Sequence, residues 1–364
     1  MTQINLSKFL GLCLGLLLSN QTSLAWGGRG HHTVCEAAVY LVREKGLQNY
    51  LRYKPHIMGH LCNIPDTHWR NINSEFSQVG GPAHYVDLEL LGIPMKDIPL
   101  DYKKIVADFT GKPNATKEGT TIQSVPNEFG SNWWRADQFY RRAVALGPEF
   151  KKVKPPENPK EQFDDKLAFN QLAYSFMINL GLMGHFVGDN GQPFHGTVDY
   201  DGYRSGHGGI HSYYEEDVVA ALPPSLVTKV IEKGKAFQKK EKTLPFLSES
   251  SLLARMKALA LISYPEIKMI FTKDKLKKES TLKEEKGMSL KTPAERESAE
   301  KMVPQFEDLI VTDMARSASL LAKLWDEAYV EVGRPVLTAY KSYQFPFTPD
   351  FVVPDYFDRP VKGN

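Results

Sequence analysis

The stretch from Leu182 to His195, LMGHFVGDNGQPFH, is the densest gathering of chemically capable side chains in the 364-residue sequence. His185 and Asp189 are four residues apart, so on a helix they lie one above the other on a single face. An imidazole and a carboxylate so placed can ligate one metal ion, as paired ligands do in helical zinc motifs. Gly191 and Pro193 bring such a helix to an end, and His195 follows on the exit, near the same region. A lone histidine in an apolar helix is ordinarily a core residue; the pattern His-x3-Asp-x5-His is much harder to dismiss in that way. A second pair, His211 and Glu215 in GGIHSYYEED, repeats the i, i+4 spacing just after a glycine-rich turn. Its neighbour Glu216 falls off that face, about 100° further round than Glu215.

A third element is Trp26-Gly-Gly-Arg-Gly-His31-His32, and what precedes it matters. Lys8, the apolar run Phe9 to Leu18 and the small residues Ser23 and Ala25 have the order of a secretory signal peptide cleaved after Ala25. The apolar run is too short to span a bilayer. Cleavage gives Trp26 a free α-amine, and the glycines let amine, Trp26 carbonyl and His31 reach one ion. Asp66, just after Pro65, and His84 and Asp87, beyond the Gly81-Pro82 break, are further candidates that carry little weight singly.

The elements that must position these groups are helical. Three- and four-residue apolar spacing predicts helices over His32–Lys45, Trp133–Leu146, Leu167–Asp189, Leu252–Ser263 and Pro304–Val332, with Gly46 ending the first. Alternating β-type runs are scarce and no internal repeat is apparent, so the expectation is an all-α protein: a signal peptide over 1–25, one multi-helix domain over 26–332 with loop insertions, and an extended, proline-rich C-terminal strap over 333–364. Residues 90–130 and the densely charged 268–303 read as excursions from the core, the latter as a solvated helix or loop.

Lys+Arg total 45 against 43 Asp+Glu, a formal charge of +2, and loss of Lys8 with the leader leaves +1. A balance so near zero excludes a global pull toward nucleic acid or membrane, so attraction for an anion must be local. Of three cysteines, Cys13 leaves with the leader. In an exported chain Cys35 and Cys62 form either one disulfide or two buried thiols.

Taken in order, Trp26, His31, Asp66, His84, His185, Asp189, His195, His211 and Glu215 resemble the ligand series of the three-zinc, single-strand-specific nuclease/3′-nucleotidase family of fungi and plants. That family shares its helical fold with bacterial zinc-dependent phospholipase C. The resemblance spans roughly 26–220. It implies a secreted or periplasmic phosphodiesterase holding three zinc ions. Asp66, His84, His185 and Asp189 would hold one; Asp189 would bridge to a second, held by the Trp26 amine and carbonyl and by His31; His195, His211 and Glu215 would hold the third. Three Zn²⁺ against three carboxylates leave a local charge of about +3, suited to a phosphodiester, and zinc activates water for in-line attack at phosphorus.

Several residues divide the two branches of that resemblance. The Trp26-x4-His31 entry resembles the nucleases, as does His84-Tyr-Val-Asp87, where Tyr85 would stack on a base and Asp87 read its edge. Glu215 and the short interval from His195 to His211 resemble the phospholipases. Trp69 stands where a basic residue is expected three after Asp66, which leaves Arg70 as the cation for the transferring phosphate. The resulting expectation is hydrolysis of single-stranded DNA or RNA and of 3′-nucleotides, with phosphatidylcholine-like lipids as the alternative substrate. No obligate protein partner is evident.

Overall fold

The computed structural model describes residues 26–124, 127–285, 288–341 and 348–356; the leader expected over 1–25 lies outside them. The chain is 63% helical and 6% strand, an all-α architecture in one compact domain. Among the described residues, seven helices of twelve residues or more form the body: α1 (Gly27–Leu41), α2 (Pro55–Thr67), α3 (Asn132–Val144), α4 (Ala168–Gly191), α5 (Leu226–Lys239), α6 (Leu252–Ser263) and α7 (Ala299–Glu331). None of the described helices is long and apolar enough to cross a membrane.

Helix α4 is the axis, packed on α1, α2, α3, α6 and α7. It is buried over almost its whole C-terminal half, from Asn179 to Gly191. Two of its glycines allow that closeness. A Cβ on Gly184 would lie 2.3 Å from Cys35 Sγ, and one on Gly188 would lie 3.0 Å from His31 Nδ1. The absent side chains let α1 approach the α4 backbone itself.

Cys35 of α1 and Cys62 of α2 form a disulfide that seats against Gly184. It closes a loop of 27 residues in sequence. Chain-entropy arguments put the value of such a loop at about 3–4 kcal/mol. A Cys35→Ala/Cys62→Ala variant is therefore expected to melt several degrees lower while keeping the same far-UV circular dichroism. An unchanged melting temperature would show that the two helices need no crosslink.

The helix boundaries differ from the expected ones in instructive ways. Helix α1 starts at Gly27, not His32, and stops at Leu41 because Val42 is extended and the Arg43 and Glu44 N–H groups donate to the Asp326 carboxylate. Gly46 ends nothing: it lies inside the next helix, Lys45–Leu51, where a Cβ would come within 2.0 Å of the Tyr329 hydroxyl. Pro65 precedes Asp66 within α2, not in a turn. Residues 90–130 are not wholly an excursion, since Leu90, Leu91, Ile98, Tyr102, Ile105, Ile122 and Phe129 are buried.

The charged segment 268–303 is neither a solvated helix nor a structureless loop. It begins in the helix Ile267–Lys273, continues as strands β1 (Leu276–Lys278), β2 (Thr281–Glu285), β3 (Met288–Thr292) and β4 (Glu295–Arg296), and ends in the first turn of α7. Strand β1 pairs antiparallel with β4, and β2 with β3. The root of this ribbon grips the turn before His211. Ser280 N–H donates to Gly206 O (2.9 Å), Ala294 N–H to Gly208 O (3.0 Å), and Arg296 bonds both Asp274 and the His207 carbonyl.

Within the C-terminal strap, residues 333–341 and 348–356 are described; the first stretch is not wholly extended, since it contains the 3-10 turn Leu337–Ala339, and the second runs without regular structure over α3 and the segment after α2. Trp69 donates its indole N–H to Pro349 O, Gln138 donates to Val353 O, and Arg135 donates to Val352 O. The buried Arg135 guanidinium also lies against the rings of Trp69, Phe139, Phe186 and Phe351.

Candidate metal centre

Eight residues from five places in the sequence converge on two adjoining clusters. His31 comes from α1, Asp66 from the last turn of α2, and His185 and Asp189 from α4. His84 ends the 3-10 turn Gly81–His84, and His195 lies in the 3-10 turn Pro193–Gly196. All are buried. Helix α4 ends at Gly191 with Pro193 opening the following turn, as the Gly-Pro punctuation leads one to expect.

Asp189 sits at the centre of the first cluster with its two oxygens facing different partners. Oδ1 is 3.1 Å from His31 Nε2; Oδ2 is 3.1 Å from His84 Nδ1 and 3.3 Å from His185 Nε2. Asp66 faces the same groups, with Oδ1 3.5 Å from His84 Nδ1 and Oδ2 3.8 Å from His31 Nε2. His84 Nδ1 and His185 Nε2 are 2.9 Å apart.

The second cluster is His195, His211 and Glu215. Glu215 Oε2 is 2.8 Å from His211 Nε2 and 3.8 Å from His195 Nε2, and the two imidazole nitrogens are 3.1 Å apart. His211 occupies the single turn Ile210–Ser212, but Glu215 lies in a π-helical segment, Tyr213–Val218, which the α-helical spacing does not reveal. Such bulges cluster at functional sites because they re-aim a side chain.

Hydrogen bonds behind the rings decide which nitrogens face inward with a lone pair. His185 Nδ1 is 2.7 Å from the Cys62 carbonyl, and His195 Nδ1 is 2.5 Å from the His84 carbonyl. A carbonyl only accepts, so each Nδ1 carries a proton and, in the neutral ring, each Nε2 offers its lone pair to the cluster. Neither ring nitrogen of His31, nor Asp189 Oδ1, has a hydrogen-bond partner among the described residues, although both groups are buried. Lone pairs that converge without donors are what a cation satisfies.

The titration behaviour is consistent with that. Burial pushes His31 below the ordinary histidine range and His84 down to about 4, keeping both rings neutral. Burial opposes the charge of Asp189, yet His185, His31 and His84 outweigh it and hold the carboxyl well below its usual range. Glu215 is likewise drawn down to about 2 against burial by His211 and His195. His185 and His195 shift upward, His195 to about 9, because their carboxylate partners outweigh burial, so a cation would compete there with a proton. The clusters His31–His185–Asp189, Asp66–His84–His185 and His195–His211–Glu215 are each compact enough for one ion.

Trp26 is fully buried beside both clusters. The sequence grouped it with His31 and Asp189. Its indole N–H does donate to Gly188 O, the residue before Asp189, at 2.8 Å, but its main-chain N–H donates to Glu215 Oε2 at 3.1 Å. Gln192, not foreseen from the sequence, donates to the same Glu215 oxygen at 2.7 Å and fixes that carboxylate.

Arg70 reaches the site despite its displaced position: its Nε is 2.9 Å from Asp66 Oδ1, and it lines one narrow pocket with His84, Phe76 and Phe351. Trp69 turns inward to Phe139 and Phe351 and lines the same pocket. Tyr85 and Asp87 follow His84 in an extended run beside His195: Val86 N–H donates to His195 O and Leu88 N–H to Gly196 O. The Tyr85 ring lies over Gly130, and burial pushes the Asp87 carboxyl well up, with Glu89 adding to it. Tyr200, also unforeseen, is 46% exposed and sets its ring edge-on to His211, with centroids 5.5 Å apart.

Comparison with protein-family models and with curated protein sequences gives no match to this chain.

Proposed function

We propose that the mature chain is an exported zinc-dependent phosphodiesterase that hydrolyses single-stranded nucleic acid and 3′-nucleotides, a member of the nuclease/3′-nucleotidase family that its ligand series resembles. The observation that supports it most is the division of the Asp189 carboxylate, one oxygen toward His31 and the other toward His84 and His185. A carboxylate so divided suits two neighbouring ions, and the His195–His211–Glu215 triad adds a third position alongside.

Zinc bound there supplies positive charge to the phosphodiester and lowers the pKa of a nearby water. The remaining work belongs to the chain. Asp189 and Asp66 hold negative charge between the histidines, and the Cys62 and His84 carbonyls keep His185 and His195 in the ligating tautomer. Arg70, beside Asp66, supplies a cation for a non-bridging phosphate oxygen. Tyr85 and Tyr200 offer aromatic faces to a base, and Asp87, whose carboxyl burial pushes well up, can hydrogen-bond a base edge.

Base stacking is worth about 1–3 kcal/mol, so Tyr85→Ala is expected to raise KM for nucleotides roughly tenfold with little change in kcat. Unchanged KM would remove Tyr85 from the binding site. The function itself is tested by offering the zinc-loaded mature protein single-stranded DNA, RNA, 3′-mononucleotides and phosphatidylcholine vesicles. Cleavage of the nucleic acids supports the proposal. Turnover of the lipid alone would assign the phospholipase C reading that Glu215 and the short His195–His211 interval resemble, and no turnover at all would leave a zinc-binding protein.

A further inference from the structure

On the outer face of the α1–α2 pair lies a second set of metal-capable side chains that the buried centre does not use. His32 and Glu36 are one helical turn apart on α1, and His56 stands on the first turn of α2. His32 Nε2 is 3.6 Å from Glu36 Oε2 and 3.4 Å from His56 Nδ1. Tetrahedral zinc with bonds of about 2.0–2.1 Å places its ligand atoms roughly 3.3 Å from one another, so these three donors need only small adjustments to share one ion. His60, one turn beyond His56, is close enough to interact electrostatically with His32.

The site is built, not merely crowded. The His32 ring occupies the room left by Gly59, whose Cβ would lie 2.5 Å from His32 Nδ1 and 2.6 Å from its Cε1. That contact fixes the ring against α2 with Nε2 turned toward Glu36 and His56. The Cys35–Cys62 disulfide ties the same two helices together on their inner side, so the spacing between the His32/Glu36 and His56 turns is set before any ion arrives. His32 and Glu36 are part-exposed, with 33% and 18% of their side chains accessible, and His56 is exposed; an ion there would be open to solvent and complete its shell with water.

We infer that His32, Glu36 and His56 form a separate surface site for a late first-row divalent cation, distinct from the buried clusters. Two imidazoles and one carboxylate suit zinc, nickel(II) or copper(II) and disfavour magnesium and calcium, which demand oxygen ligands. An ion held there would add a second link between α1 and α2, beside the disulfide.

The test uses the disulfide-bonded mature protein, first saturated with zinc and desalted, then titrated calorimetrically with zinc chloride. Wild type is expected to show one further, weaker zinc site. His56→Ala and the near-isosteric Glu36→Gln are each expected to weaken that site by roughly tenfold or more, while the zinc retained through desalting and the circular dichroism stay unchanged. Identical titrations of wild type and both variants would overturn the inference. Because the retained zinc and phosphodiesterase activity are measured on the same samples, an inactive protein would count against the proposed function without touching this result.

Discussion

Asp189→Asn is expected to abolish phosphodiesterase activity and to lower zinc content by more than one ion per chain. Asparagine keeps the shape but removes the charge, and its nitrogen is a donor where both oxygens of Asp189 now face ring nitrogens of His31, His84 and His185. Removing one partner from a buried, compensated charge cluster costs about 3–5 kcal/mol, which is roughly 10²–10⁴ in metal affinity. The loss of binding and the loss of structure are separable. The chelated variant should melt somewhat below chelated wild type, and added zinc should raise the wild type far more than the variant, because an ion stabilises only the state that binds it. A variant that kept its zinc and activity would show that the carboxylate bridges nothing.

The second large effect is expected at the amino terminus. Trp26 is fully buried, its indole is bonded to Gly188 O, and its main-chain nitrogen is 3.1 Å from Glu215 Oε2. Placed between the two clusters, that nitrogen gains a lone pair for metal only as a free amine; an amide has none to give. Processing before Trp26 should therefore be required. Protein that retains even Ala25, or carries an amino-terminal tag, is expected to bind one ion fewer and to lose activity by about 10²-fold or more, with recovery when a protease exposes Trp26. Full activity in the tagged form would refute the role of the terminus.

How much of this the sequence carries depends on the range of each interaction. His185 with Asp189 was legible because helical geometry is local and four residues return to one face. His211 with Glu215 was legible for the same reason, although the π-helical segment that holds Glu215 leaves no mark in the spacing. Asp66 and His84 had only weak local signals; what unites them with α4 is the packing of α2 and of the Gly81–His84 turn on α4, which periodicity does not encode. Gly46 was misread as a helix end because the reason for a glycine there, the Tyr329 hydroxyl, lies far away in sequence. The ribbon over 276–296 escaped notice because most of its side chains are exposed, so no apolar alternation marks its strands. Tyr200 and Gln192 were missed since a lone tyrosine or glutamine has no pattern to betray it.

The disulfide and the His31 ring rest directly on the bare backbone of α4 at Gly184 and Gly188. Any side chain at either point would push α1 away and take His31 out of reach of Asp189. The wall behind the candidate metal centre is thus closed to variation, whereas the exposed side chain of Tyr200 carries no such burden. A change at the proposed recognition residue Tyr200 would then alter what the proposed site takes while leaving the Gly184 and Gly188 contacts as they are.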